Sequence, residues 1–416
     1  MSHNENPPPQ QTQNRALEGV RVTDLSRVLA GPSCTQLLGD LGAEIIKIEK
    51  PGDGDDTRSW GPPYLKDDQG DDTSESAYYL SCNRNKKSLT LDIRQEEAQE
   101  IIHELLEKSD ILIENFKAGG LAKYGLDYES VKKRHPHIIY CSITGFGQNG
   151  PLSSEPGYDF IAQGMGGLMA ITGEPDEQPM KAGVALSDIM TGLNAAIGIL
   201  AALNYRNKTG KGQHVDLALL DCTVAAMTNI AQYYLTSGHL APRLGNAHST
   251  IVPYQTFAAS DGFIILAVGN NNQFTRFCEF INKPGWASDP KYATNSARVS
   301  NRAELVTMIA QEIAAHDMDY WLSGLADIDV PCGPVNTMDK TFDMPQIDAR
   351  GMKIKMQHHF SNDAIDLVGS PIKMSETPPR YDLPPPTCGQ HTDQILHDIL
   401  GKSAEEIAAL RAKSIL

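Results

Sequence analysis

"GVRVTDLSRVLAGPSCTQLLGDLGAEIIKIEK", residues 19–50, decides the fold. Its opening "GVRVTDL" (19–25) is a short apolar run with β-branched residues and predicts a strand. "GPSCTQLLGDLG" (31–42) carries helical spacing, and "AEIIKIEK" (43–50) returns to the pattern of a buried strand. Strand, helix, strand is the repeating unit of a parallel α/β sheet.

The pattern continues outward. "KSLTLDI" (87–93), "DILIENF" (110–116) and "HIIYCSITG" (137–145) predict further strands, with "QEEAQEIIHELLEK" as the helix between the first two. A long helix over 189–205 follows, then "KTGKGQHVDLALLD" as a turn feeding a strand, then a helix from about 221 to 236. The expected architecture is a doubly wound sheet whose ligand sits beyond the carboxyl ends of the strands. Chemistry should therefore gather after Leu25, Glu49, Asn115 and Gly145. From about residue 240 to 335 the pattern changes to short strands around a turn at Ser260-Asp261-Gly262, followed by helices near 272–281, 302–315 and 318–326. That shift predicts a smaller α+β domain, after which "PPRYDLPPP" and a final helical stretch complete the chain.

Composition bounds the function. A chain of 416 residues with 40% apolar content builds large cores, and its net charge of −16 argues against nucleic acid or an anionic membrane as partner. Seven scattered cysteines form no CxxC pair, and no histidine cluster has metal-ligand spacing, so free thiols, no metal and a cytoplasmic location are expected. No run is expected to reach the length of a membrane helix. The opening "MSHNENPPPQQTQNR" lacks the apolar core of a signal peptide and predicts a disordered tail over 1–15. Neither GxGxxG after the first strand nor GxxxxGK[ST] occurs, which weakens a dinucleotide dehydrogenase and a P-loop NTPase alike. Glu49 closes the second strand where a ribose-binding acid would sit, and without the glycines it reads instead as a strand-end acid.

An acidic protein that handles an anion must collect its cations locally. Lys47, Lys50 and Arg58, the run "NRNKKS" (83–88), and Lys117 and Lys123 are the candidates, with "NRNKKS" the densest. "GFGQNGPLSSEPGYDF" (145–160) and "GMGGLMAITG" (164–173) are glycine-rich connections that let backbone approach a ligand. Between them and the long helix stands "GVALSDIMTG" (183–192), where Asp188 has two readings, a helix cap or a reagent.

These segments, with "ILIENF", "IIYCSITGFGQNGP", "GYDFIAQGMGGLMAITG" and "VALSDIMTG", together resemble the family III CoA-transferases, the group of formyl-CoA:oxalate and carnitine CoA-transferases. The resemblance runs from about Leu17 to the end. "YYLSCNRNKKS", "GNAHSTIVPYQTF", "VGNNNQF" and "KYATNSARVSNR" are similar to the branch that moves CoA between succinyl-CoA and glutarate or related dicarboxylates. The resemblance implies that Asp188 attacks a donor thioester to give an aspartyl anhydride and then an aspartyl-CoA thioester, with CoA thioesters as substrates and no tightly bound cofactor. It further implies that Tyr158 lines the acyl site, that Lys50, Asn115, Phe116 and Lys123 border the CoA nucleotide, and that Arg84 and Arg298 are candidates for a substrate carboxylate or a CoA phosphate. The "GNNNQ" position implies a loop that closes over intermediates, here with Asn271 and Asn272 in place of glycines. Leu29 stands where the formyl-CoA enzymes carry glutamine; both departures favour a longer acid than oxalate.

The implied fold is an interlocked, ring-like homodimer. Each chain would have a Rossmann-like CoA-binding domain over 16–225 and 356–416, linkers over 226–244 and 336–355, and a small α+β domain over 245–335. Competing readings are intramolecular CoA transfer on a diacid such as mesaconate, formyl-CoA:oxalate-type transfer, an α-methylacyl-CoA racemase, and a silent CoA-binding scaffold. The racemase reading suffers because tyrosine at 158 is a poor base near neutral pH.

Overall fold

The structure is a computed structural model that describes residues 15–416. The tail expected to be disordered, apart from Arg15, lies outside the described residues. The chain divides into two compact units. One runs to Leu168 and resumes over Ala182–Ala231 and Ala349–Leu416; the other comprises Met169–Lys181 and Gln232–Asp348. Residues 169–181, expected within the large domain, thus belong to the second unit, as do most of the two stretches expected as linkers.

The first unit is built on parallel strands β1 (Arg21–Asp24) and β2 (Glu44–Glu49), an antiparallel ribbon β3 (Tyr64–Lys66) and β4 (Asp72–Ser76), and then β5 (Lys86–Thr90), β6 (Ile111–Glu114), β7 (Ile139–Thr144) and β8 (His214–Ala218). The six-stranded sheet has the order β5-β2-β1-β6-β7-β8, every pair parallel. The strand order reverses between β1 and β6, and the crevice beyond their carboxyl ends is where such a sheet binds ligands.

Alternation along the strands covers both faces. In β2, Ile45 packs with Val22, Ile111, Ile113 and Ile139 on one face, while Ile46 and Ile48 pack with Leu89, Ile102, Leu105 and Leu112 on the other. The second face is completed from the far end of the chain by Ile395, Leu396, Ile407 and Ile415. Burial at a period of two on both sides is why these strands read as continuous apolar runs.

The helix Leu186–Thr209 presents Ala195, Ala196, Ile199, Ala202 and Leu203 to the first face. Gly192 lets it approach the helix Ala30–Asp40, since a Cβ there would lie 2.6 Å from the Ala30 carbonyl oxygen. By length and composition this helix is long enough to cross a membrane, contrary to the sequence expectation, because its alanines and glycines sum to an apolar segment without forming a continuous run. The helix expected over 221–236 is two, Leu219–Ala226 and Thr228–Ser237, broken where Thr228 has a positive φ of 37°.

In the second unit β9 (Tyr254–Ala258), β10 (Phe263–Ala267) and β11 (Cys332–Pro334) form an antiparallel sheet covered by the helices Asn271–Phe280, Arg302–Ile313 and Met318–Asp327 around Phe274, Phe277, Ile309 and Trp321. Back in the first unit, β12 (Lys353–Gln357) and β13 (Ala364–Val368) pair as a hairpin.

Candidate active site

The turn after β1 is built around Asp24. Its carboxylate accepts the Ser26 N–H at 2.8 Å and the Thr35 hydroxyl at 2.6 Å, which fixes the departure of "SRVLAG" toward the next helix. Val28 within this turn has φ of +71°, a conformation β-branched residues strongly avoid. Asp55 holds it there by accepting the Val28 N–H at 3.3 Å, and Asp55 is itself locked by Lys47 at 2.8 Å. Strain of this kind persists only where the surroundings enforce it, and it is enriched at functional sites.

Across the switch point the Asn115 side chain straps the two strand tips together. Its Oδ1 accepts the Arg27 N–H at 2.9 Å and its Nδ2 donates to the Arg27 carbonyl at 2.6 Å. Two cavities open beside these strand tips. One, of about 450 Å³, contains Leu29, Trp60, Asn115, Thr144, Tyr158, Asp159 and Asp188. The other, of about 340 Å³, is lined by Lys50, Asp55, Leu91, Arg94, Lys123 and Tyr124. Arg27 and Phe116 line both.

A pinch in the backbone brings Tyr158 and Asp159 to the first cavity. Gly145 directly follows β7, and a Cβ on it would lie 2.4 Å from the Gly157 Cα, so the two arms of this loop cross only because both residues lack side chains. Beyond the crossing, Asp159 reaches the start of the helix Leu186–Thr209. Its Oδ1 accepts the N–H of Ser187 at 2.8 Å and of Asp188 at 3.3 Å, while Oδ2 accepts from Gln163 at 2.8 Å. Asp188 lies inside the first turn, after an Ala185 cap position that offers no side-chain bond. The capping reading therefore belongs to Asp159, and the Asp188 carboxylate is left facing the cavity. Burial and the neighbouring Asp159 charge raise its pKa to about 7, far above the ordinary carboxylate range.

The remaining cations divide sharply. Lys50 and Lys123 line the second cavity, Lys50 paired with Asp53 at 2.5 Å and Lys123 over the Tyr124 ring at 4.7 Å. Lys117 lines the first. The run "NRNKKS" does not gather an anion. Arg84 grips Asp40 through Nε at 2.9 Å and Nη2 at 2.6 Å, donates to the Val368 carbonyl, and is buried. Lys86 is fully buried against the Pro32 carbonyl and Asn83. The assignment of Arg84 to a substrate carboxylate or phosphate is corrected, since its guanidinium is committed to this buried pair. Lys47 and Arg58 are likewise internal: Arg58 bridges Glu49 and Glu75, which also removes Glu49 from the ribose role.

In the second unit Arg298 is fully buried. It donates to the carbonyls of Val252 and Tyr292 and to Asn271 Oδ1 at 3.1 Å, over the Phe274 ring. Its role is internal too, as a brace for the Asn271 side chain, so its candidacy as a carboxylate or phosphate ligand is corrected. The "GNNNQ" segment is a helix start rather than a loop: Asn270 caps by accepting the Gln273 N–H at 2.9 Å, and Asn271 and Asn272 form the exposed first turn. Sequence reasoning missed Arg27 and Asp159. Their positions beside the strand tip and the glycine loop were the available signals.

The family model described as CoA-transferase family III matches residues 17–392. The chain belongs to this family. Among its curated relatives, the Succinate--glutarate CoA-transferase of Agrobacterium fabrum is 47% identical over 383 residues, 92% of this chain and 95% of that protein. The Succinyl-CoA:glutarate CoA-transferase of Mus musculus is 44% identical over 97% of this chain and 90% of its own. Among solved structures, a CAIB/BAIF family protein from Brucella suis superposes with a TM-score of 0.85 at 47% identity, over 93% of this transferase and all of that chain. The chain is thus a family III CoA-transferase with a mixed α/β fold and a parallel sheet.

Proposed function

We propose that this enzyme moves CoA from succinyl-CoA to glutarate or a related C4–C6 dicarboxylic acid, with Asp188 as the covalent nucleophile. The observation that carries the reading is the division of labour at the helix start: Asp159 accepts the N–H groups of Ser187 and Asp188, and Asp188 stands in the cavity at the switch point. The names of the relatives supply the acids.

In this mechanism the Asp188 carboxylate attacks the thioester carbonyl, and CoA leaves as thiolate, giving an aspartyl acyl anhydride. The thiolate then attacks the aspartyl carbonyl, releasing the donor acid and leaving an aspartyl-CoA thioester. The acceptor carboxylate attacks that thioester, CoA thiolate leaves again, and its attack on the acyl side of the new anhydride releases acyl-CoA and restores Asp188. A carboxylate suits the task because it splits one acyl exchange into reversible steps of similar difficulty. The 340 Å³ cavity, with Lys50, Lys123 and the Phe116 ring, supports a CoA nucleotide site, and its shared lining with the Asp188 cavity supports a path for the pantetheine arm. Tyr158 and Leu29 are then acyl-site walls. The Rossmann-like reading of the CoA domain is supported by the strand order.

A homodimer is part of the proposal. Leu193 and Ile197 are 50% and 65% exposed on the helix side opposite its buried stripe, with Val224 and Phe160 also exposed, an apolar surface that a second copy would cover. Seven free thiols support a reducing, cytoplasmic setting.

The test incubates the pure protein with succinyl-CoA and glutarate, itaconate, mesaconate, citramalate, oxalate, formate or carnitine, reading new acyl-CoA masses. A dicarboxylyl-CoA that disappears in Asp188→Ala is expected. Exchange that survives in the variant, or no exchange with any acid, would overturn the proposal.

A further inference from the structure

We infer that Arg27 is the specificity-determining cation of this site, taking the remote carboxylate of a dicarboxylic substrate while its other end reacts at Asp188. The inference rests on the reading of Asp188 as the group that receives the acyl chain.

The cavity around Asp188 is lined by four acids, Asp56, Glu155, Asp159 and Asp188, and by two cations, Arg27 and Lys117. A dianionic acid entering such a space meets like charge on most sides, and its remote carboxylate needs a cation to stay there. Arg27 is held for that task at its backbone, by the reciprocal bonds with Asn115 at 2.9 and 2.6 Å. Its guanidinium lies 5.2 Å from the centroid of the Phe116 ring, which restricts how it can turn.

The present partner of Arg27 is replaceable. Asp56 Oδ2 accepts from Nη1 alone at 2.9 Å, in a pair whose side chains are 44% and 52% exposed, the kind of ion pair that contributes little. The edge formed by Nε and Nη2 has no protein acceptor among the described residues, and an arginine edge of this kind is what binds a carboxylate through two parallel bonds. Lys117 offers a solvated point charge without that geometry. Because Arg27 also lines the second cavity, the rival role is a contact to a CoA phosphate, and the two roles differ in what they select.

The experiment compares Arg27→Gln with the parent enzyme for two acceptors of equal length, glutarate and its monoamide glutaramate, and two donors, succinyl-CoA and butyryl-CoA. In the variant the preference for glutarate over glutaramate falls at least tenfold, through KM for glutarate, and the KM for succinyl-CoA rises relative to that for butyryl-CoA. Arg27→Lys recovers part of both preferences, because it restores charge without the fork. Equal rises for both donors with the acceptor preference intact would assign Arg27 to CoA and overturn the inference. So would preferences that are unchanged in both variants, or lost in Lys117→Gln but kept in Arg27→Gln. Absence of exchange with either acceptor in the parent enzyme is a different result, because it removes the reading of Asp188 itself.

Discussion

Asp159 Oδ1 accepts the backbone N–H of Asp188 at 3.3 Å, so two aspartates share one helix start and only one of them caps it. This proximity, added to burial, raises the Asp188 pKa to about 7. A nucleophilic carboxylate must be ionised, so kcat/KM for acyl exchange falls as pH drops below about 7. Asp159→Asn keeps an oxygen that can accept the same N–H groups and removes the like charge. The acidic limb of its pH profile should shift to lower pH by part of the elevation, since burial, the larger cause, remains. A profile that stays in place would show that the Asp159 charge does not govern the nucleophile.

The same elevation acts on stability. Asp188 binds its proton more tightly in the folded chain than unfolded, where the ordinary value is 3.8, so between about pH 4 and 7 the folded state holds the extra proton. Folding stability from this group is therefore full below that window and is lost as pH rises through about 7. Asp188→Asn removes the loss. At pH 8 the variant should be more stable than the parent by up to about 4 kcal/mol, reduced by solvent screening of the half-buried carboxyl, and at pH 4 the difference should shrink toward zero. Denaturant midpoints at the two pH values measure this, and a variant that is less stable at pH 8 would contradict it.

The sheet was legible in the sequence because two-sided burial leaves a simple trace. Ile45 and Ile46 point to opposite faces and both are buried, so β2 reads as an unbroken apolar run. Asp188 stood out in the sequence for its surroundings, glycines on both sides and a helix after it, and the fold adds the cavity that it lines. The cations were not. Arg84, Lys86 and Arg58 look like surface charge in one dimension, and only the fold brings Asp40, Asp24 and Glu75 beside them. Sequence gives the sign of a side chain but not its dielectric surroundings or its partner 44 residues away, as for Arg84 with Asp40. Arg27 was missed for the converse reason: one arginine after a strand carries no pattern until the switch point and the Asn115 strap give it a place.

The crossing of Gly145 and Gly157 positions both Tyr158 and the capping Asp159. Gly145→Ala forces a backbone clash that no rotamer relieves, so the loop must move and carry Asp159 from the helix start. Misplacement of about 1 Å at a reacting group costs on the order of 100-fold, and kcat/KM should fall by about that factor. Gly183→Ala is the control, because a Cβ there meets nothing within 4 Å. Near-parent kinetics in Gly145→Ala would show that the crossing does not set the site.

Arg84 provides the clearest contrast between a binding residue and a structural one. Its two bonds to Asp40 and a third to the Val368 carbonyl tie the helix Ala30–Asp40 to the hairpin of β12 and β13, with Asn85 adding a further bond to Asp40 at 2.8 Å. Burial alone drives the Asp40 pKa up, and the guanidinium opposes that rise. Arg84→Ala leaves the carboxyl buried without its cation, a change that costs about 3–5 kcal/mol. Arg84→Lys recovers only part, because an ammonium cannot reproduce the fork. Thermal melts of both variants should show these losses, while the KM for glutarate in the folded fraction stays within about twofold of the parent, a threshold well below the change expected from losing a charged contact to substrate. A raised KM with undiminished stability would return Arg84 to the substrate.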